Sequence, residues 1–240
     1  MTHTVHVTQH GQGLPVVLLH GWGFDQTIWH TTLSWWSESY QVYLVDLPGF
    51  GLTPSMTWEA FKASVLSQLP DKFSLVGWSM GGLWATRLAL EEPLRVQCLM
   101  NVASSPCFIQ DDHWPGVSAT VFQSFYQSLC RSPEKTLRRF IALQAPMLDF
   151  ELTTPTHEGL RVGLEILLTW DFRAQLARLS MPVCYVFGAR DTITPSALKV
   201  VMQQQYPAFA THQLDSAAHA PFLSHPEHFF TVVKNFLGQV

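Results

Sequence analysis

The sequence predicts an α/β fold in which a mostly parallel central sheet is covered by helices on both faces. Short apolar segments alternate with segments of helical periodicity, as expected for parallel strands that are buried on both sides. Several of the apolar segments run directly into turns rich in glycine and proline. The alternation stops between residues 107 and 178, where only helical patterns occur. We therefore expect a core made of residues 1–106 and 179–240, with residues 107–178 inserted as a helical cap.

The composition is that of a globular protein with a large core. The 240 residues are 47% hydrophobic and 13% charged, and the formal net charge is −4. This charge gives no general attraction to nucleic acid or to an anionic membrane, so neither is an expected partner. The first residues lack the features of a signal peptide, and the four cysteines have no paired spacing. We expect a monomeric, cytoplasmic protein with buried, reduced cysteines.

The first half of the chain contains five predicted strands, most of which lead into a turn. Residues 26–37 between the second and third strands are predicted to be helical. The second strand continues into His20–Gly23, and the third continues into Asp46–Gly51, which contains three helix- and strand-breaking residues. The predicted strands are Val5–Thr8, Pro15–Leu19, Tyr40–Val45, Phe73–Val76 and Val96–Val102.

The segment Gly77–Gly81 matches the pattern G-x-S-x-G between a predicted strand and a predicted helix. This pattern is typical of a sharp turn that presents a serine in strained backbone geometry, with small neighbours because the strand and helix nearly touch. The turn also directs the free N–H groups of a helix start toward whatever the serine attacks. Ser79 is therefore the candidate nucleophile.

The second half of the chain contains the cap and then resumes the α/β alternation. Prolines 115, 133, 146 and 155 divide the cap into several amphipathic helices. Pro182–Phe187 and Ala210–Leu214 are the last predicted strands, and Pro195 and Pro226 are expected to open the helices that follow them.

A serine nucleophile needs a base, and the base needs an acid that orients it. Asp191 and His219 both follow the end of a predicted strand, as Ser79 does, and such positions meet at one edge of a parallel sheet. Among the eleven histidines, only His219 combines this position with the chain order Ser, Asp, His. Asp215 lies only four residues from His219 and Asp171 lies in the cap, so Asp191 is the preferred acid.

Two backbone N–H groups are needed to stabilise the oxyanion that forms when serine attacks a carbonyl. Met80, the residue after the nucleophile, provides one, and Trp22 in the loop after the second strand is predicted to provide the other. His20 is expected to hold this loop through hydrogen bonds. The chemistry needs no metal and no organic cofactor.

Four segments together resemble the α/β-hydrolase superfamily: Leu19–Gly23, Val45–Gly51, Gly77–Gly81 and Ala217–Phe222. The resemblance implies an α/β-hydrolase fold and a serine carboxylesterase. Within the superfamily, the chain resembles the esterases of biotin synthesis that remove the methyl group from pimeloyl-[acyl-carrier protein] methyl ester. The most specific matches are Val102–Phe108, Phe140–Gln144 and Gly163–Leu167.

This resemblance implies that an acyl-carrier protein bearing the methyl ester docks on basic residues of the cap. Lys135, Arg138 and Arg139 share one face of a helix predicted to begin at Ser132–Pro133, and Arg161 is a further candidate. The cap is shorter than the family pattern between residues 144 and 163, so Arg161 is the single counterpart of the basic residues expected there. The resemblance also implies that residues 140–144 contact the acyl chain. The full set of implied substrate-binding residues is Trp22, Ser79, Met80, Phe140, Ile141, Ala142, Leu143, Gln144 and His219.

Two other functions remain open from the sequence. One is a carboxylesterase or thioesterase for small molecules that uses no carrier protein. The other is a ligand sensor on the same fold that turns over slowly, although an intact triad argues against it.

Overall fold

The computed structural model describes residues 4–144 and 152–239, and its strands form one seven-stranded sheet. The strand order is β1-β3-β2-β4-β5-β6-β7, in which β1 pairs antiparallel with β3 and the other neighbours are parallel. The predicted α/β fold class is thereby confirmed. The strands are β1 (Val7–His10), β2 (Leu14–Leu19), β3 (Tyr40–Val45), β4 (Phe73–Trp78), β5 (Val96–Val102), β6 (Val183–Gly188) and β7 (Ala210–Leu214).

The helices lie in the connections between these strands and after the last one. The predicted helical segment 26–37 consists of a 3-10 helix, Gln26–Thr32, followed by α1; a second 3-10 helix spans Arg173–Arg178. The α-helices are α1 (Leu33–Ser37), α2 (Trp58–Leu66), α3 (Met80–Glu91), α4 (Ala119–Arg131), α5 (Pro133–Gln144), α6 (His157–Thr169), α7 (Ala197–Gln205), α8 (Pro221–Ser224) and α9 (Pro226–Leu237).

Alternate side chains of the central strand pack on opposite faces of the sheet. Leu75 belongs to one buried cluster, together with apolar side chains of α2, α3 and α7. Val76 belongs to a second buried cluster, together with side chains of α1 and α9. This period of two follows from strand geometry. It explains why Leu75 and Val76, which face opposite sides of the sheet, are both apolar and buried.

The carboxyl ends of the parallel strands are aligned by their register. Leu19 at the end of β2 pairs with Gly77, and Trp78 at the end of β4 pairs with Val102. Val102 in turn pairs with Val186 of β6. The loops that follow β2, β4, β5 and β6 therefore leave the sheet at one edge, where the candidate site lies.

The helices α4, α5 and α6 lie between β5 and β6, in the segment predicted as a cap. Ser118 and Thr156 cap α4 and α6 by accepting hydrogen bonds from backbone N–H groups of their first turns. Helix α5 begins at Pro133, as its Ser-Pro start predicts. The boundaries at 107 and 178 stay a prediction, and Pro146 lies outside the described residues.

The expectation of buried cysteines is correct for three positions and wrong for one. Cys98, Cys107 and Cys184 are buried free thiols, and burial raises the pKa of Cys98 to about 11. Cys130 is exposed, because the last turn of α4 leaves that side of the helix open to solvent. Within residues 4–144 and 152–239, none of the helices has the length and apolar character needed to cross a membrane.

Candidate active site

Ser79 stands between the end of β4 and the start of α3, in backbone geometry that side chains rarely adopt. Its φ is 54° and its ψ is −122°. Its N–H donates to the carbonyl of Val102 at 2.9 Å, and its own carbonyl accepts from Ser104 Oγ at 2.7 Å. The turn after β5 therefore holds the strained residue from both sides.

The glycines on either side of Ser79 are required by close backbone contacts. A Cβ atom on Gly77 would lie 2.6 Å from the carbonyl carbon of Gly81, and one on Gly81 would lie 2.5 Å from the carbonyl oxygen of His20. These distances are far below van der Waals contact, so no larger residue fits without moving the strand or the helix. The G-x-S-x-G spacing is thus explained by packing of β4 against α3 and the loop after β2.

The structure brings together the three residues predicted to form a triad. His219 Nε2 lies 2.8 Å from Ser79 Oγ, and His219 Nδ1 lies 2.8 Å from Asp191 Oδ2. All three side chains are buried. They come from the loops after β4, β6 and β7, which meet at the carboxyl edge of the sheet.

Besides His219, three groups donate hydrogen bonds to the carboxylate of Asp191. The N–H groups of Ile193 and Thr194 donate to Oδ1 at 2.8 and 3.1 Å, and Thr194 Oγ1 donates to Oδ2 at 2.5 Å. Burial by itself raises the pKa of Asp191, but the charge of His219 and these hydrogen bonds lower that pKa below its ordinary value. The ionised carboxylate favours a proton on His219 Nδ1, which leaves Nε2 as an acceptor facing Ser79.

The two rival acids are exposed and lie in other settings. Asp171 forms an ion pair with Arg173 at 2.6 Å, and Asp215 occupies the turn after β7. Thr194, in contrast, was not identified from the sequence, although its position three residues after Asp191 is a common one for a hydroxyl that supports a carboxylate.

Met80 and Trp22 flank the nucleophile. Met80 is the first residue of α3, so its backbone N–H has no partner within the helix. Gly21, next to Trp22, comes so close that an added Cβ would be 3.2 Å from Ser79 Cβ. The Trp22 indole Nε1 donates to the carbonyl of Leu160 in α6 at 2.9 Å.

His20 makes the hydrogen bonds expected of it. Its Nδ1 lies 2.8 Å from the carbonyl of Gly21, and its Nε2 lies 3.0 Å from the N–H of Leu47. Because a carbonyl accepts and an N–H donates, these partners select the neutral ring with its proton on Nδ1. Burial lowers the pKa of His20, against the opposing effect of the Asp46 charge. A neutral His20 therefore joins the loop after β2 to the loop after β3.

A cavity of about 670 Å³ extends from Ser79 to the surface between the cap helices. Its lining combines apolar and aromatic side chains, such as buried Leu164 and half-buried Phe122 and Phe125, with exposed polar and basic ones. Most of the predicted chain-binding side chains contribute to it. The cavity is lined by Trp22, Ser79, Phe108, Val117, Val121, Phe122, Phe125, Ser128, Arg131, Ser132, Lys135, Thr136, Arg139, Phe140, Leu143, Gln144, Leu164, Leu167, Thr192 and Ile193.

Part of the segment 140–144 lines the cavity. Phe140, Leu143 and Gln144 line the cavity, whereas Ile141 packs against the core and Ala142 is exposed. Although Leu143 lines the cavity, 68% of it is exposed. Helix α5 rests on the core through Leu137 and Phe140, and its last turn extends beyond that contact.

The basic residues predicted to receive a carrier protein are all exposed, and their surroundings differ. Lys135 and Arg139 are exposed on α5 and line the cavity together with Arg131 of α4. Arg138 is exposed on α5 outside the cavity lining, and Arg161 pairs with Glu165 on α6 beside a separate depression. Arg131 was missed because its place beside α5 depends on how α4 and α5 pack.

Among the residues that the structure describes, no group of three or more His, Cys, Asp or Glu side chains is arranged to hold a metal ion.

Comparisons with known proteins were made for the chain and for its fold. A family model described as the alpha/beta hydrolase family matches residues 16–231. Solved structures that resemble this one include a bromoperoxidase from Bacillus anthracis, with a TM-score of 0.85, 21% identity, and coverage of 98% of this chain and 95% of that one. A hydrolase from Oleispira antarctica has a TM-score of 0.86 at 17% identity, covering 100% and 96%.

Curated relatives are more similar in sequence. Pimeloyl-[acyl-carrier protein] methyl ester esterase from Legionella pneumophila (strain Lens) is 52% identical over 236 residues, covering 97% of this chain and 99% of the relative. The protein of the same name from Aeromonas salmonicida (strain A449) is 38% identical over 255 residues, covering 98% and 100%. The second alignment is longer than this chain of 240 residues, so the Aeromonas protein has residues that are absent here.

Proposed function

The chain belongs to the alpha/beta hydrolase family, and from this premise we propose that it hydrolyses the methyl ester of pimeloyl-[acyl-carrier protein] with a Ser79-His219-Asp191 triad. Its class, carboxylic ester hydrolase, follows from the family and its relatives. The observation that carries the proposal is the pair of 2.8 Å hydrogen bonds through His219, next to a cavity that is lined by Ser79 and by several apolar side chains.

The proposed reaction proceeds through an acyl-enzyme. Ser79 Oγ attacks the ester carbonyl carbon while His219 Nε2 takes its proton, and the carbonyl oxygen becomes an oxyanion. The tetrahedral intermediate collapses by breaking the bond to the methoxy group, which receives the proton from His219 and leaves as methanol. A water molecule then gives one proton to His219 and attacks the acyl carbon. His219 returns that proton to Ser79 Oγ as the acyl bond to Ser79 breaks, and the released carboxylic acid loses its remaining proton to solvent.

The charge of Asp191 supports these reaction steps. Each proton transfer makes His219 an imidazolium for a short time, and the ionised carboxylate at 2.8 Å stabilises that cation. The backbone N–H groups of Met80 and Trp22 are the proposed oxyanion donors. The start of α3 adds the positive end of a helix dipole on the same side of Ser79.

The cavity suits an acyl chain that is delivered by an acidic partner. Phe122, Phe125 and Leu164 provide apolar lining, and Phe125 packs on Trp22 at 5.5 Å between ring centroids. Exposed Lys135 and Arg139, with Arg131, also line the cavity and suit an acidic carrier protein. Lys135, Arg138, Arg139 and Arg161 were the predicted contacts, and the cavity favours Lys135 and Arg139 among them.

The test is a comparison of two substrates and two proteins. Wild type and Ser79→Ala are assayed on the carrier-linked methyl ester and on a small free methyl ester, and both genes are tested for rescue of a biotin auxotroph that lacks this esterase. We expect Ser79→Ala to lose about 10⁴-fold or more in kcat and to fail in rescue. A fluorophosphonate should label Ser79 in wild type only.

Each alternative has its own outcome in the same experiment. Equal kcat/KM on both substrates, without rescue, would indicate a small-molecule esterase or thioesterase. Specific binding of the ester with turnover slower than about one per hour would indicate a sensor. Hydrolysis by Ser79→Ala at the wild-type rate would exclude the proposed triad.

A further inference from the structure

Trp78 contacts three of the loops that carry proposed catalytic groups, those after β2, β4 and β7. It is the last residue of β4 and precedes Ser79 directly. Its indole Nε1 donates to the backbone carbonyl of His219 at 2.7 Å. Its ring edge also borders the loop after β2, since a Cβ atom on Gly21 would lie 3.1 Å from ring carbons of Trp78.

The ring of Trp78 is itself fixed. Only 1% of the residue is exposed, and its ring packs edge-on against Phe24 at 4.9 Å and Phe222 at 5.3 Å between centroids. Its backbone is part of the central strand and pairs with Val102. A hydrogen bond from this indole therefore fixes the position of its acceptor relative to the sheet.

The hydrogen bond of Trp78 distinguishes it from other tryptophans of the core. Trp29, Trp36 and Trp84 have buried Nε1 atoms without a hydrogen-bond partner among the residues that the structure describes. At those three positions, packing of the ring is enough to explain the presence of tryptophan. At Trp78, the N–H has a specific acceptor on the residue proposed as the general base.

We propose that Trp78 is a positioning residue whose indole N–H fixes the backbone of His219, and so sets the distance from His219 Nε2 to Ser79 Oγ. The inference rests on the proposed function, because it assigns Trp78 a role in the triad reaction. Short loops carry both Asp191 and His219, whereas Trp78 belongs to the rigid sheet. Proton transfer from serine is sensitive to displacements well under 1 Å, so the lost tether is expected to slow the chemical step.

The decisive variant keeps the ring and removes the N–H. Benzothienylalanine has sulfur in place of the indole N–H, and amber suppression introduces it at position 78 alone. The second variant is Trp78→Phe. The matched control is Trp29→Phe, because Trp29 also packs on Phe222, at 4.4 Å, but its Nε1 has no partner within residues 4–144 and 152–239. All are compared in kcat, KM, melting temperature and the second-order rate of fluorophosphonate labelling.

We expect both Trp78 variants to lose about 10- to 100-fold in kcat and in labelling rate, with KM changed less than about threefold. Trp29→Phe is expected to melt at a lower temperature with kcat near that of wild type. Wild-type rates in the benzothienylalanine protein, or an equal loss in Trp29→Phe, would overturn the proposal. Labelling of Ser79→Ala at the wild-type rate would instead exclude the proposed function.

Discussion

The indole of Trp22 donates a 2.9 Å hydrogen bond to the backbone carbonyl of Leu160, 138 residues later in the chain. Trp22 lies in the loop proposed to hold the oxyanion, and Leu160 lies in cap helix α6. The same helix touches the loop after β3, where the backbones of Gly49 and Gly159 meet too closely for any side chain. Helix α6 and the proposed oxyanion loop are therefore joined as one packed unit.

The first prediction concerns Gly163, one turn further along α6. A Cβ atom there would lie 2.6 Å from Trp22 Cδ1 and 3.1 Å from Met80 Sδ. Gly163→Ala should therefore displace Trp22, lower the free energy of unfolding by about 1–3 kcal/mol and reduce kcat. Val162→Ala, on the same helix, is the control and should retain kcat. A Gly163→Ala protein that is more stable and equally active would show that Trp22 moves to make room for the methyl group without loss of stability or activity.

The second prediction separates the three candidate acids. Asp191→Asn should lower kcat by about 10⁴-fold, because an amide neither selects the Nδ1–H ring nor stabilises the imidazolium. Asp171→Asn and Asp215→Asn remove a carboxylate at exposed sites and should leave kcat near wild type. Steady-state kinetics on a small methyl ester, with circular dichroism to verify folding, measures all three. A harmless Asp191→Asn would remove Asp191 from the proposed triad.

The strands and the nucleophile turn were predictable because their signals are local. Tyr40–Val45, Val96–Val102 and Ala210–Leu214 have the predicted bounds, since turn residues follow each of these segments. Ser79 was identified from five residues because glycine is required at both flanking positions. Helix α2 was missed, since the Thr57 cap at its start and its short apolar face give a weak pattern.

Features that depend on long-range packing were not predictable. Arg131 reaches the cavity because α4 packs beside α5, and the exposure of Leu143 depends on where α5 leaves the core. The bond between Trp78 and His219 joins residues 141 positions apart. Such contacts depend on the whole fold, so they cannot be predicted from the spacing of residues in the sequence.

The third prediction tests the acyl cavity with two neighbouring residues. Phe140 lines the cavity, whereas Ile141 packs against the core outside it. Phe140→Ala and Ile141→Ala should each lower the free energy of unfolding by about 1–3 kcal/mol, because both side chains are partly buried. Only Phe140→Ala should change the ratio of kcat/KM values across methyl esters of increasing chain length. An identical preference profile in both variants would assign Phe140 to packing alone.

The fourth prediction concerns the pH dependence of stability. Burial lowers the pKa of His20 below its ordinary value of 6.5. Below about pH 6.5 the unfolded chain binds a proton at this residue that the folded chain excludes. The contribution of His20 to the free energy of unfolding is thus complete above that pH and decreases as the pH falls, by up to about 1.4 kcal/mol per pH unit.

Urea unfolding at several pH values between 5 and 7.5 measures this slope. The pKa values of His10 and His212 are also lowered, so the comparison with His20→Asn isolates one contribution. We expect His20→Asn to be less stable than wild type at pH 7.5 but to have the smaller slope. Equal slopes of stability against pH in the two proteins would show that His20 binds a proton in the folded chain as readily as in the unfolded chain.

The last prediction concerns the carrier protein. Lys135 and Arg139 are exposed on α5 and line the cavity of a protein with a formal net charge of −4. Complementary charges increase the rate of encounter with an acidic partner and orient it. The double variant Lys135→Glu/Arg139→Glu should therefore reduce kcat/KM for the carrier-linked ester by at least about tenfold. The value for a small soluble ester should stay within about twofold, because the triad is untouched.

A matched double variant separates this local effect from the change in overall charge. Lys72 and Arg178 are exposed and precede β4 and β6, at the edge of the sheet opposite Ser79. Lys72→Glu/Arg178→Glu changes the net charge equally and should keep kcat/KM for both substrates. Added salt should weaken the carrier-linked reaction of wild type and of the control variant, but not the small-ester reactions, since screening acts on charges that attract across solvent. If both double variants respond alike, the basic end of the cavity is an ordinary solvated surface.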